Sequence, residues 1–222
     1  NVAKVAWNGA FEATDNIEKI AFDPKLFFIP GTRFANISVS GINAIGPDTN
    51  TPTFVDLKSL QFIDNVTWSH GGHNVKTGLS VTHYMNDQDS SFDFGGNYAF
   101  TSLENFLQNR PGTYEGQAPG STTARQWRQS LIGLYAQDDW SAKRNLTLNL
   151  GVRYEFITTP HELSGREASM PDLQAASTVS GGPIFINPSL TNVAPRGGFA
   201  WDMTGDGRNA LHGGAGLFFE PI

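Results

Sequence analysis

The chain has 222 residues, a net charge of −6 and no cysteine, which excludes disulfides, thiolate zinc sites and cysteine nucleophiles and argues against a nucleic-acid surface, where a basic stripe is the norm. Charged residues make up only 16%, against about 25% in ordinary soluble domains, and no apolar run approaches the length of a membrane-spanning helix. A membrane β-barrel stays open, because its alternating faces average out in any hydropathy window.

In chain order, the first clear element is FIDNVTWSHGGHNVKTGLSV. A two-residue turn at Gly71 and Gly72 pairs His70 with His73, Trp68 with Val75, Val66 with Thr77 and Phe62 with Val81. Residues facing each other across an antiparallel pair share a face, so the apolar side chains gather on one side. Two glycines suit the positive φ angles of such a turn. Asp64 falls by parity on the apolar face and counts against this register.

From Asn86 to Arg128 the sequence turns to Gly, Pro, Ser and Asn with no sustained period, and a long loop is predicted. Within it, SLENFLQNR has helical spacing of Leu103, Phe106 and Leu107, with Thr101 and Glu104 as a capping box. The expected element is a short loop helix.

LIGLYAQDDWSAKRNLTLNLGVRY predicts the second hairpin, with a loop of three or five residues and with Trp140 opposite Leu146, Ala136 opposite Leu150, Leu134 opposite Val152 and Ile132 opposite Tyr154. Its second strand alternates without a break from Asn145 to Phe156. Leu146, Leu148, Leu150, Val152, Tyr154 and Phe156 line one face, and Asn145, Thr147, Asn149, Gly151, Arg153 and Glu155 the other. At about 3.3 Å per residue such a strand spans roughly 40 Å, enough to cross about 30 Å of hydrocarbon when tilted. Asp138 falls on the apolar face near its turn, where an interfacial position or a bulge would accommodate it.

A second long loop is predicted from Thr158 to Val193. GGFAWDMTGDGRNALHGGAGLFF then gives a third hairpin, whose loop from Thr204 to Arg208 pairs Met203 with Asn209 and Trp201 with Leu211. Strands alternate direction, so all three tight turns fall at one end of the sheet and both long loops at the other. That asymmetry, together with Trp68, Trp140 and Trp201 near the tight turns and Tyr154 and Phe156 near the loops, matches the aromatic girdles of an outer-membrane barrel.

Several motifs have bland readings that suffice. Asp202 and Asp206 in DMTGDGR suggest calcium but lack the remaining oxygen ligands of an EF-hand, and a G-D-G turn with Gly205 and Gly207 explains them. The five histidines show no zinc-ligand spacing. GGAGLFF lacks the helix that follows a phosphate loop, and no nucleophile and base are selected by spacing. No metal, cofactor or catalytic role is expected.

Taken together, LYAQDDWSAKRNLTLNLGVRYEF and VAPRGGFAWDMTGDGRNALHGGAGLFFE resemble the barrel of TonB-dependent outer-membrane receptors, in the Oar-like branch that often carries a carboxypeptidase-regulatory-like domain before its plug. FIDNVTWSHGGHNVKTGLSV is similar to that family's hairpin around H-x-x-K-x-G, and NYAFTSLENFLQNRPG to its loop helix. The resemblance covers roughly residues 30 to 220. It implies an all-β, antiparallel transmembrane barrel wall in a bacterial outer membrane. It also implies capture of a scarce or bulky solute and its import through the TonB complex, which would engage a plug region not contained in residues 1–222.

The chain begins at Asn1 without a signal peptide and stops within an alternating run, so part of a larger receptor's barrel is expected, without plug and N-terminal domains. Asn149, Arg153 and Glu155 are the predicted solute contacts on the lumen face, and lipid is the predicted partner of the apolar face. The alternative is a soluble β-sandwich that binds carbohydrate, or a surface adhesion module. A sandwich would bury Leu148 and Val152 in a protein core and leave Arg153 and Glu155 in bulk water.

Overall fold

Long alternating segments can satisfy their backbone groups by pairing side by side, and they do so here. The computed structural model describes residues 1–17, 19–118, 120–169, 174, 179–180, 185 and 190–219. In chain order the elements are β1 (Val2–Thr14), a 3-10 turn (Pro24–Leu26), β2 (Asn36–Val39), β3 (Ile42–Ile45), β4 (Thr53–His70), β5 (His73–Ser90), β6 (Asn97–Phe100), α1 (Leu103–Leu107), β7 (Thr113–Glu115), β8 (Arg125–Lys143), β9 (Leu146–Ile157), β10 (His161–Glu162), β11 (Ala168–Ser169), β12 (Val179–Ser180), β13 (Val193–Asp202) and β14 (Ala210–Gly216). The main sheet runs in the order β1-β4-β5-β8-β9-β13-β14, with β10 beside β8. The protein is all-β and antiparallel in its main sheet; among the described residues the exceptions are one short α-helix, the 3-10 turn and one parallel pair, β2 with β6, in the small sheet.

The chain divides into two units, residues 1–9, 58–85 and 127–222, and residues 10–57 and 86–126. The first is a wall of strands. β4 and β5 meet at the Gly71-Gly72 turn, but only Gly71 has a positive φ, 59°. Gly72 is needed for a different reason: a Cβ there would lie 2.8 Å from the Ser141 carbonyl oxygen. The Ser141 N–H donates to the Gly72 carbonyl at 2.7 Å, so the first two tight turns are tied to each other.

β8 and β9 keep the predicted faces but not the predicted register. Leu134 faces Tyr154, Ala136 faces Val152 and Trp140 faces Leu148, a slip of two residues from the expected pairs. The turn is the two residues Arg144 and Asn145, and the register shift between Ser141 and Lys143 marks a bulge. Because side chains repeat every two residues, a slip of two leaves every face unchanged, whereas a slip of one would reverse them all. β13 and β14 pair Trp201 with Leu211, and the Met203 N–H donates to Asn209. Both oxygens of Asp202 are consumed inside that turn, accepting from the Gly205 and Gly207 N–H groups at 2.9 and 2.8 Å. Gly205 and Gly207 both adopt positive φ.

The two discordant aspartates separate. Asp138 sits opposite Leu150 on the apolar face, where it accepts from His73 Nδ1 at 2.6 Å and the Asn74 N–H at 3.2 Å, and the His73 ring stacks on Trp140. Asp64 gains no such partner for its Oδ1, which is buried. An unpaired buried oxygen costs about 1–3 kcal/mol. Asp64→Leu is therefore expected to stabilise the wall by about 1 kcal/mol, read as a higher urea midpoint for the barrel folded into vesicles.

The second unit contains the small sheet β3-β2-β6-β7. The 36–45 hairpin and the 97–115 strands had no sequence signal; the long loop predicted from Asn86 to Arg128 holds, besides the expected short helix α1, the strands β6 and β7 and the ends of β5 and β8. The cap of α1 is Ser102, whose hydroxyl accepts from the Asn105 N–H at 3.1 Å, and not Thr101. Thr101 instead accepts from the Asn105 side chain at 2.8 Å. Between Thr158 and Val193, β10 closes on a carboxylate: Glu162 is 0% exposed and its Oε2 accepts from the Ser164 and Arg166 N–H groups.

Asp93, in the second unit, is 2% exposed with φ 51°, and burial raises its carboxyl above the ordinary carboxylate range, with Glu115 adding to the shift. A raised folded value means that stability is greatest when the group is protonated, below the unfolded pKa, and is lost as pH rises through the folded value. Hydrogen exchange around β6 is expected to accelerate over that rise, and Asp93→Asn, which also tolerates positive φ, is expected to flatten the dependence.

Candidate functional site: the polar face of the wall

The wall has two chemically opposed faces. On one, Phe62, Val66, Trp68, Leu134, Leu150, Val152, Phe199 and Leu211 stand exposed, with Leu150 at 49% and Val152 at 40%. Trp140 and Trp201 lie on the same face near the tight turns, and Tyr154 and Phe156 pack ring to ring at 5.7 Å towards the other end of β9. The Tyr154 hydroxyl donates to the Leu190 carbonyl. Among the described residues, the buried apolar side chains are Ile29, Ala35, Val39 and Phe100, all in the second unit. Among the described residues, the wall has no protein core. Apolar strand faces of this extent, uncovered by protein, need another apolar medium, and a sandwich would have supplied a second sheet over Val152.

The opposite face is built from side chains that lie along the wall. Arg196 on β13, Gly151 on β9 and Gln137 on β8 stand in one row across three strands. The Arg196 side chain crosses Gly151 and donates to Gln137 Oε1 at 3.1 Å. A Cβ at residue 151 would sit 2.7 Å from Arg196 Nε. The same device recurs at Gly78, where a Cβ would meet Asn65 Oδ1 at 2.4 Å and the Tyr135 ring at 2.5 Å; the Tyr135 hydroxyl donates to that Asn65 oxygen at 2.8 Å. At Gly133 a Cβ would lie 2.8 Å from Ser80 Oγ and 3.2 Å from Glu155 Oε1. Each glycine leaves room for a long polar neighbour to lie flat.

The predicted solute contacts find different partners along the polar face. Asn149 donates to Asp139 Oδ1 at 2.7 Å, and Lys76 stands 3.7 Å from Asp139 Oδ2. Arg153 and Glu155 pair with each other along β9, which leaves their combined charge near zero. Asn149 instead shares an open depression of about 250 Å³ with Gln137, Asp139 and Arg196. Gln137 and Asp139 were legible on the polar side of β8. Arg196 lay outside the sequence reading, although the Trp201–Leu211 pair puts even-numbered residues of β13 on the polar face, Arg196 among them.

Alternating faces, an apolar side with no protein over it and a polar side lined by cross-strand hydrogen bonds describe a membrane barrel wall. The sequence model of one family, the outer membrane beta barrel domain, matches residues 1–222. The chain belongs to that family. Searches of the curated proteins and of the solved structures returned no match.

Membership in the outer membrane beta barrel domain family places the protein in the bacterial outer membrane. The exposed Leu150 and Val152 belong to the apolar face, and Trp68, Trp140 and Trp201 stand near its tight turns. No helix among the described residues is long and apolar enough to cross a membrane. The crossing is made by strands. GGAGLFF accordingly begins inside β14, where Gly213 lies under the ring of Phe199 with only 2.7 Å available for a Cβ.

Proposed function

We propose that this wall belongs to a TonB-dependent receptor that captures a scarce or bulky solute at the cell surface and imports it. One observation carries the reading: the polar face offers a guanidinium, two amides and a carboxylate, from Arg196, Gln137, Asn149 and Asp139, around an open depression rather than a filled core. Such groups exchange hydrogen bonds with water and with polar solutes at little cost, which suits passage better than tight retention. The sequence resemblance to the Oar-like branch supplies the coupling to TonB, with energy from the inner-membrane proton gradient acting through the plug region. No residue is assigned a catalytic role, and no metal or cofactor is required. The net charge of −6 argues against nucleic acid as a partner.

The test uses the intact receptor in the outer membrane of a Gram-negative host, with and without functional TonB. Cells are offered a defined mixture of oligosaccharides, peptides and ferric siderophores, and depletion of each solute is followed by mass spectrometry. Depletion of one class only in the TonB-positive host, and its arrest by a proton uncoupler, is the expected result. Surface binding of the same extent in both hosts would replace import with adhesion.

A further inference from the structure

The tight-turn end of the wall carries a group of side chains that the import reading does not use. His70 closes β4 and His73 opens β5, so the two residues flank the two-residue turn and stand opposite each other, with Cβ atoms about 4.5–5.5 Å apart as across any antiparallel pair. Both rings lie on the apolar face: His70 stacks on Trp68 with centroids 5.6 Å apart, and His73 on Trp140 at 5.2 Å. His70 is exposed and the His73 side chain is 43% exposed, so a solute can reach both. His73 Nδ1 donates to Asp138 Oδ2 at 2.6 Å, and Asp138 Oδ1 accepts from the Asn74 N–H at 3.2 Å. The Ser141 N–H on the Gly72 carbonyl, at 2.7 Å, holds the second turn, and with it the end of β8, against the first. A carboxylate only accepts, so the neutral His73 ring keeps its proton on Nδ1 and its lone pair on Nε2. The two nitrogens of an imidazole point in nearly opposite directions. With Nδ1 turned to β8, Nε2 faces away from it, on the side where β4 carries His70.

We infer that His70 and His73 form a binding site for a divalent transition-metal ion, with Asp138 orienting His73 from behind and water completing the coordination. A carboxylate on the far nitrogen is the usual support of a ligating histidine: it fixes the tautomer and raises the basicity of the nitrogen that meets the metal. Two imidazoles favour copper, nickel and zinc over calcium and magnesium, which take oxygen ligands, and Cu²⁺ is the tightest divalent ion at such a pair. The His70 ring leaves Trp68 by a change of rotamer, a movement open to an exposed residue. The site also gives Asp138, a carboxylate on an apolar face, a task beyond the turn. The histidines face each other only once the hairpin forms, and Asp138 comes from 65 residues beyond His73, so spacing along the chain does not reveal the group. The site is independent of the import reading, because metal binding is measured on the protein whatever solute the barrel takes.

The experiment titrates Cu²⁺, and separately Zn²⁺, into the intact receptor in lipid nanodiscs. Calorimetry gives the affinity, and EPR of the copper form identifies ligating nitrogens by their hyperfine structure. The wild type is expected to bind Cu²⁺ through two imidazole nitrogens at these residues and Zn²⁺ more weakly. His70→Ala is expected to weaken Cu²⁺ by about tenfold or more and to remove one nitrogen from the spectrum. Asp138→Asn is expected to cost about 10–100-fold in affinity, since an amide can offer its own N–H to Nδ1 and move the ring proton to Nε2. A Cu²⁺ affinity that stays within about twofold of wild type in His70→Ala overturns the site. A loss in His70→Ala with no loss in Asp138→Asn overturns the part given to Asp138. Heat-modified migration on SDS gels reports whether each variant folds, and an Asp138→Asn receptor that migrates as unfolded chain passes the decision to His70→Ala, which leaves the His73–Asp138 pair in place.

Discussion

Leu150→Arg is expected to destabilise the folded barrel by about 2–4 kcal/mol, while Asn149→Arg, one residue away, changes stability by well under 1 kcal/mol. Leu150 stands on the uncovered apolar face near the middle of β9, and Asn149 on the polar face beside Asp139. A charge facing hydrocarbon has no water and no partner, whereas an arginine at residue 149 gains the Asp139 carboxylate as a neighbour. Urea titration of both variants refolded into vesicles measures the difference. In a soluble sandwich both substitutions would meet protein or water and neither would depend on lipid; a cost for Leu150→Arg that is the same in detergent-free buffer as in vesicles would remove the membrane assignment.

The second large effect separates two glycines of the polar face. Gly78→Val is expected to cost about 1–3 kcal/mol or more by overpacking, because a Cβ there meets the Asp64 carbonyl oxygen at 2.8 Å as well as Asn65 and Tyr135. Backbone cannot yield as a side-chain end can. Gly151→Ala meets only Arg196 within the closest contacts, at Nε, Cγ and Cδ. Its stability cost is expected to stay below about 1 kcal/mol, since the guanidinium can swing away. What it loses is the Arg196–Gln137 bond, so Gly151→Ala is expected to leave the urea midpoint nearly unchanged while freeing Arg196. NMR order parameters for the Arg196 side chain would read that release directly.

These contrasts show where the sequence was legible. Face identity was written in the alternation of Leu146 to Phe156, because the period of two is imposed by every peptide unit along a strand. Register was not, because the pairs Trp140–Leu146 and Trp140–Leu148 satisfy the same alternation, and the bulge beside Ser141 that selects the second leaves no compositional trace. The strands of the small sheet, three or four residues each, are shorter than any window in which a period can be counted. β1 does alternate, with Val5, Trp7 and Phe11 on one side and Lys4 and Glu12 on the other, but Ala and Gly at intervening positions dilute the signal.

The polar site was half legible for a related reason. Asn149, Arg153 and Glu155 are conspicuous in an otherwise apolar strand, and their face was readable. Their partners were not, since partnership runs across strands that are distant in sequence: Asn149 to Asp139, and Arg196 over Gly151 to Gln137. Arg153 and Glu155, two residues apart on one face of β9, pair with each other, a pairing that the sequence reading did not draw. Capping of α1 by Ser102 rather than Thr101 moved the helix start by one residue, within the usual uncertainty of helix ends.

The glycine rows also set how far the polar side chains stand off the wall. A side chain that stands away from a wall raises that face by its own length, whereas one laid across a glycine adds little more than its thickness. With Tyr135 over Gly78 and Arg196 over Gly151, bulky residues become a smooth lining instead of a set of baffles. The relief of the polar face is then governed by where the glycines lie.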